Sequence, residues 1–143
     1  MSWYTEFKSS LKSFDVEEIL DIYFYRPLSF LFVKLIYSTN ITPNQISAFS
    51  MLFGILTGVL FAFGTPQSFI FAGIALLVSN ILDCADGQLA RLKKNGTGIG
   101  RIIDGFIDYV TGFSMFLGIG IGLSIATGDY LYVWLITLAG AVS

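Results

Sequence analysis

The chain has 143 residues, 55% of them hydrophobic and 13% charged, with a formal net charge of −2. A soluble domain carries about twice that charged fraction, and the apolar residues fall in runs long enough to cross a bilayer, which disfavours a soluble fold. With no histidine and one cysteine, Cys84, the chain cannot build Ser-His-Asp or Cys-His catalysis, a histidine or cysteine zinc site, or an intrachain disulfide.

The predicted elements are all helical. Trp3, Phe7, Leu11 and Phe14 recur at helical spacing, with Lys8 and Lys12 on another face, as in an amphipathic helix lying on a membrane surface. After the acidic stretch Asp15–Asp21, Arg26-Pro27 opens a second, interfacial helix to about Tyr37. Thr42-Pro43-Asn44 punctuates the chain before a first span over 45–63, and Gly64-Thr65-Pro66 makes a tight connection. A second span starts near Gln67 and continues helically through Asp83, Asp86 and Arg91. The polar loop 93–98 leads to a third span over 99–126, whose Gly112, Gly118, Gly120 and Gly122 suit close helix packing. Thr127-Gly128-Asp129 is a turn, and a fourth span starts at Tyr130. Its 14 or so residues make about 21 Å of helix, against a hydrocarbon core of about 30 Å, so the sequence reads as part of a longer chain. The expected architecture is an all-α, polytopic transmembrane helix bundle. It has three complete spans and a truncated fourth, with an N-terminal interfacial segment over 1–38 and the membrane domain over 39–143.

The basic residues give an orientation. Lys8, Lys12, Arg26, Lys34, Arg91, Lys93, Lys94 and Arg101 all lie in the N-terminal region or around the loop between spans two and three. Alternating spans put those two regions on one side, and the other side has no basic residue. The positive-inside rule makes the basic side cytoplasmic.

The sharpest feature is Asp83-Cys84-Ala85-Asp86-Gly87-Gln88-Leu89-Ala90-Arg91, followed after the loop by Gly100, Asp104 and Asp108. Asp83 and Asp86, three apart, share a helical face, as do Asp104 and Asp108, four apart. A short hairpin makes the two helices antiparallel neighbours, so the four carboxylates can converge. Together at the edge of the hydrocarbon they carry insertion and like-charge costs that a divalent cation would remove. Without histidine, the donors are oxygens and suit a hard cation. Gly87, Ala90 and Gly100 would let a ligand or helix approach the backbone closely, and Arg91 could meet a phosphate. A metal, an arginine and small residues together point to a phosphate ester at a membrane surface. Solvated helix ends, in which the aspartates pair with Arg91, Lys93, Lys94 and Arg101, are the bland reading of the same residues. An ion path in a cation channel or transporter also accounts for intramembrane acids, and an inactive fragment would keep the motif.

The stretch resembles the signature of the CDP-alcohol phosphotransferases, D-x-x-D-G-x-x-A-R followed by G-x-x-x-D-x-x-x-D. Asp83, Asp86, Gly87, Ala90, Arg91, Gly100, Asp104 and Asp108 fill it without a mismatch. The resemblance implies an integral membrane enzyme of phospholipid biosynthesis that moves a substituted phosphoryl group from a CDP-alcohol to an acceptor alcohol, releasing CMP. It implies a multi-pass homodimer with a cytoplasm-facing site and no nucleic acid partner. It also implies Mg2+ or Mn2+ as a pair of ions held by Asp83, Asp86, Asp104 and Asp108, with Asp108 as general base. Gly87, Arg91 and Thr97 match positions that contact the CDP group, and Thr42, Pro43, Asn44 and Gln45 match a further segment of that nucleotide site more loosely.

Overall fold

A computed structural model describes residues 3–11 and 21–142 of the chain. Lys12, Phe14 and the acidic residues from Asp15 to Glu18 lie outside the described residues. The helices are α1 (Trp3–Ser10), α2 (Arg26–Ile36), α3 (Pro43–Ala62), α4 (Pro66–Lys93), α5 (Gly98–Thr127) and α6 (Leu131–Val142), and no strand occurs among the described residues. A single π-helical stretch, Asp21–Tyr25, runs into α2. Its wider turn was not visible in the hydrophobic pattern. The boundaries read from the sequence for α2 to α5 and for the start of α6 lie within two residues of those observed, the ordinary scatter for helix ends, whereas α1 ends at Ser10, short of Leu11.

The ends have local chemical causes. At the start of α3, the Thr42 amide donates to Gln45 Oε1 (2.9 Å) and the Gln45 amide donates to Thr42 Oγ1 (3.4 Å). This reciprocal capping box places Pro43 in the first helical position, where its missing N–H costs nothing. Thr65 and Ser68 repeat the device in front of α4, with reciprocal amide-to-hydroxyl bonds of 3.2 Å around Pro66. Thr97 caps α5 by accepting the Gly100 amide at 2.9 Å, and Asp129 caps α6 by accepting the Leu131 amide at 2.9 Å. Helix α4 ends in a Schellman motif: Asn95 N–H reaches the Ala90 carbonyl and Lys94 N–H the Arg91 carbonyl, with Lys94 in the left-handed region at φ 53°. Glycine takes that role after α3 and α5, at Gly64 (φ 64°) and Gly128 (φ 76°).

Helices α3, α4 and α5 are long and apolar enough to cross a membrane, with 20, 28 and 30 residues, and α6 is a shorter apolar helix. At 1.5 Å per residue, α4 and α5 exceed a hydrocarbon core of about 30 Å by roughly 10 Å or more. The surplus turns include those that carry the aspartates.

The chain folds into two compact units. One comprises Met1–Ser50 with Asn80–Ile103, and the other comprises Met51–Ser79 with Asp104–Ser143. In the first unit, Val33 of α2, Ile46 of α3, and Ala85 and Leu89 of α4 form a buried core, extended by Phe32, Ile36, Ile41, Leu82 and Leu92. Helix α1 joins α2 through an edge-to-face contact of Phe7 with Phe30 (5.2 Å between centroids) and an ion pair of Lys34 with Glu6. Lys93 closes the connection between α2 and α3 by donating to the Thr39 and Ile41 carbonyls at 2.9 and 3.0 Å.

The second unit has a different interior. Its buried residues are small: Thr57, Ala72, Ala75, Gly118, Gly120, Gly122, Ser124 and Gly140, with Ile107 as the larger exception. A Cβ on Gly58 would meet the Ser114 carbonyl, one on Gly118 the Gly58 backbone, and one on Gly122 the Phe61 carbonyl. Backbones of α3 and α5 therefore touch along this seam, and Gly140 of α6 meets the Phe116 ring in the same way. Leu52, Val59, Ile70, Phe71, Ile74, Leu135 and Leu138 point outward. Where lipid is as apolar as leucine, burying leucine gains little, and association depends on close backbone approach. The expectation of close packing holds for Gly118, Gly120 and Gly122. It fails for Gly112, where a Cβ would meet nothing within 4 Å.

Candidate active site

The signature residues of α4 lie on the helix that Ala85 and Leu89 anchor into the core. Asp86 is buried and Asp83 half-buried. Ser47, in the second turn of α3 and itself buried, donates its hydroxyl to Asp86 Oδ2. That bond fixes one carboxylate oxygen and offsets part of the desolvation of a buried acid. Asp104 follows on α5. Asp83 and Asp86, three residues apart, share a face of α4 within the first unit, and the half-buried Asp104 belongs to the second. Asp108 lies one helical turn beyond Asp104 and is exposed.

Asp83 and Asp86, one turn apart, repel one another, and burial of Asp86 weakens the solvent screening that would reduce the cost. Their donor atoms are all hard oxygens, which suits a magnesium-like or calcium-like cation and offers nothing to a soft metal. The residues present therefore fit a divalent ion.

The remaining signature positions divide into close approach and polar engagement. Gly87 leaves room for the Arg91 guanidinium: a Cβ there would lie 3.3 Å from Nη2. Arg91 Nη1 donates to the Ser10 carbonyl at the end of α1. A Cβ on Gly100 would lie 3.1 Å from Thr97 Oγ1 and 3.6 Å from Asn44 Oδ1, so this glycine lets the start of α3 come up to the start of α5. Ala90 lies beside the loop glycine Gly96, whose Cβ would be 3.9 Å away. Thr42 and Gln45 spend their side chains on the capping box, whereas Asn44 is exposed.

Three residues that sequence reasoning did not assign to the site turn out to be attached to it. Ser47 is one. The others are Gln88, fully buried between signature positions, and Arg26, buried at the start of α2 with 6% exposure. Arg26 Nη1 donates to the Cys84 carbonyl at 3.2 Å, and Gln88 Nε2 donates to the Arg26 carbonyl at 3.1 Å. The available signal was an arginine and a glutamine flanked by apolar residues, since buried polar groups need partners.

The comparisons agree with this geometry. The family model described as CDP-alcohol phosphatidyltransferase matches residues 40–143, and the chain belongs to that family. An archaetidylinositol phosphate synthase of Pyrococcus horikoshii is 36% identical over 89 residues, covering 62% of this chain and 46% of that protein. A bifunctional IPC transferase and DIPP synthase of Thermococcus kodakarensis is 35% identical over 104 residues, covering 72% of this chain and 23% of that protein. The chain thus spans less than half the length of these curated relatives. Family and helices together make it an integral membrane protein, and the ion-path reading is not favoured.

Proposed function

We propose that this chain is the membrane-embedded catalytic part of a phospholipid-synthesis enzyme, which transfers a substituted phosphoryl group from a CDP-alcohol to an acceptor alcohol and releases CMP. The observation that carries the reading is the family match over residues 40–143, with Asp83 and Asp86 on one face of α4 and Asp104 and Asp108 one turn apart on α5. Residues 39–143 carry the transfer and residues 1–38 form the interfacial segment. The site faces the cytoplasm, a reading supported by the distribution of basic residues, and the working form is a homodimer.

Asp83, Asp86 and Asp104 would hold Mg2+ or Mn2+, as two ions, with Asp108 as a further ligand. Bound metal supplies charge neutralisation at the diphosphate, which is most of what in-line attack on phosphorus requires. The chain supplies the rest. Ser47 holds the Asp86 carboxylate in one orientation. Arg91, given room by Gly87, turns from the Ser10 carbonyl to the donor's phosphate, a charge-assisted contact stronger than the one it leaves. Asn44 and Thr97 meet the nucleotide from the starts of α3 and α5, while Thr42, Pro43 and Gln45 position Asn44 through the cap. Asp108 accepts the proton of the attacking hydroxyl. Its exposure leaves it accessible to the acceptor alcohol.

The test is CMP release by the full-length protein in detergent, across a panel of CDP-alcohols and acceptors, with Mg2+ and with chelator. Metal-dependent release is expected. Asp108→Asn should abolish turnover and leave nucleotide binding largely intact. Absence of metal-dependent CMP release from every pair would sink the reading, and near-normal turnover by Asp108→Asn would remove the base assignment.

A further inference from the structure

Arg26 lies outside the residues matched by the family, which begin at 40. It is nevertheless among the most buried charged residues described, at 6% exposure, and it is tied twice to the turn of α4 that bears the acids. Its Nη1 donates to the carbonyl of Cys84 (3.2 Å), the residue that follows Asp83. Its own carbonyl accepts from Gln88 Nε2 (3.1 Å), two residues beyond Asp86. The two bonds use the guanidinium and the backbone of one residue, so they constrain both the position of α2 and the rotation of α4 about its axis. Ser29, fully buried one turn later, donates to the Tyr25 carbonyl at 2.7 Å and stiffens the same start of α2.

A buried guanidinium is costly to desolvate, and an apolar side chain in its place would avoid that cost. What an arginine adds here is a long, permanently charged donor held to the backbone between two acids of α4. Residues that hold a cation need outer partners that fix their orientation, and two ties to the same turn of α4 provide them.

We propose that Arg26 is a positioning residue for the acidic group: through the Cys84 carbonyl and Gln88 it sets the orientation of Asp83 and Asp86, and so tunes divalent-cation affinity. The inference rests on the proposed metal role of those aspartates. It gives the N-terminal segment a part in the site beyond contact with the membrane surface.

The experiment is Mn2+ binding by the full-length protein in detergent, read by electron paramagnetic resonance without substrate, alongside thermal unfolding in chelator. Arg26→Gln should weaken Mn2+ binding by about tenfold or more, the usual scale for loss of an outer-shell partner. Arg26→Lys, which keeps the charge but not the fork, should recover part of it. Val33→Ala removes packing from the same helix and should lower the unfolding temperature while leaving Mn2+ affinity within about twofold. If Arg26→Gln does not fold, Gln88→Leu, which removes one of the two ties, is read in the same way and should also weaken Mn2+ binding. Wild-type affinity in the folded Arg26 or Gln88 variant would overturn the proposal. So would a loss in Val33→Ala equal to that in Arg26→Gln, since packing alone would then explain it. Failure of the wild type to bind Mn2+ would overturn both this proposal and the metal reading beneath it.

Discussion

The two units solve the problem of joining helices by opposite means. In the first, side chains reach across: Ser47 to Asp86, Arg26 to the Cys84 carbonyl, Gln88 to the Arg26 carbonyl, and Lys93 to two carbonyls at once. In the second, side chains are removed, and the backbones of α3 and α5 meet through Gly58, Gly118 and Gly122. The division follows charge, because every lysine and arginine falls in residues 1–50 or 80–103. Polar ties are strong where desolvation makes an unpaired group expensive, and they can hold acids in place. Glycine contacts hold nothing chemical, but they hold closely with no polar group to satisfy.

The largest test breaks the second unit. In Gly118→Val, the new Cβ would fall on the Gly58 backbone, which has no flexible end to move aside. The expected cost is about 3 kcal/mol, at the upper end for overpacking, measured by reversible unfolding in mixed micelles. Gly112→Val, with open space around its Cβ, should cost nothing comparable and serves as the matched control. Equal effects at the two glycines would show that the seam is not what holds this unit.

The first unit should respond in the opposite sense. Asp86→Asn removes a buried charge one turn from Asp83, yet leaves Ser47 an amide oxygen to donate to. Metal-free protein should keep its unfolding temperature or gain slightly, because like-charge crowding is relieved. Turnover and Mn2+ binding should fall by about 100-fold or more, beyond the loss typical of outer-shell changes. If the metal-free variant loses as much stability as Gly118→Val, the acids are structural and the contrast between the units disappears.

Thr42 and Asn44 separate support from contact within one short segment. Thr42→Ala removes half of the capping box and should cost about 1 kcal/mol of stability, with nucleotide affinity nearly unchanged. Asn44→Ala should do the reverse, since the Asn44 side chain is exposed and takes no part in the capping box. Isothermal titration with CDP and thermal unfolding on the two variants decide it. A loss of CDP affinity in Thr42→Ala would assign this threonine to the nucleotide itself.

How much of this was legible in advance depended on the range of the cause. Helix boundaries could be read because Thr-Pro and Gly signals act within one turn, and the acidic group because its spacing is fixed by helical geometry. Ser47, Arg26 and Gln88 were not legible, because each acts on a partner on another helix, 39 to 62 residues away. The sequence marks them only as polar residues in apolar surroundings. The glycines of α5 were legible as a class and not singly: the pattern does not distinguish Gly118, which faces Gly58, from Gly112, which faces open space.

The smallest effect lies at the edge of the first unit, where α1 is attached by the Lys34 and Glu6 pair. The bond from the Lys34 ammonium holds the Glu6 carboxyl below its usual value of 4.5. A carboxyl whose folded value is depressed stabilises the folded form above the unfolded value, and that contribution fades as pH falls through the folded value. Amide protection over residues 5–11, followed by hydrogen exchange, should therefore be steady from about pH 7 to about pH 5 and decline below about pH 4. The decline should be modest, because the pair is open to solvent. Glu6→Gln should be equally weak at all of these values. The seam residues Gly54, Gly58, Thr111, Ser114 and Gly118 carry no titratable side chain, so their protection should not change over the same range. A parallel loss at both places would mean general acid unfolding, and only a loss confined to α1 assigns the effect to Glu6.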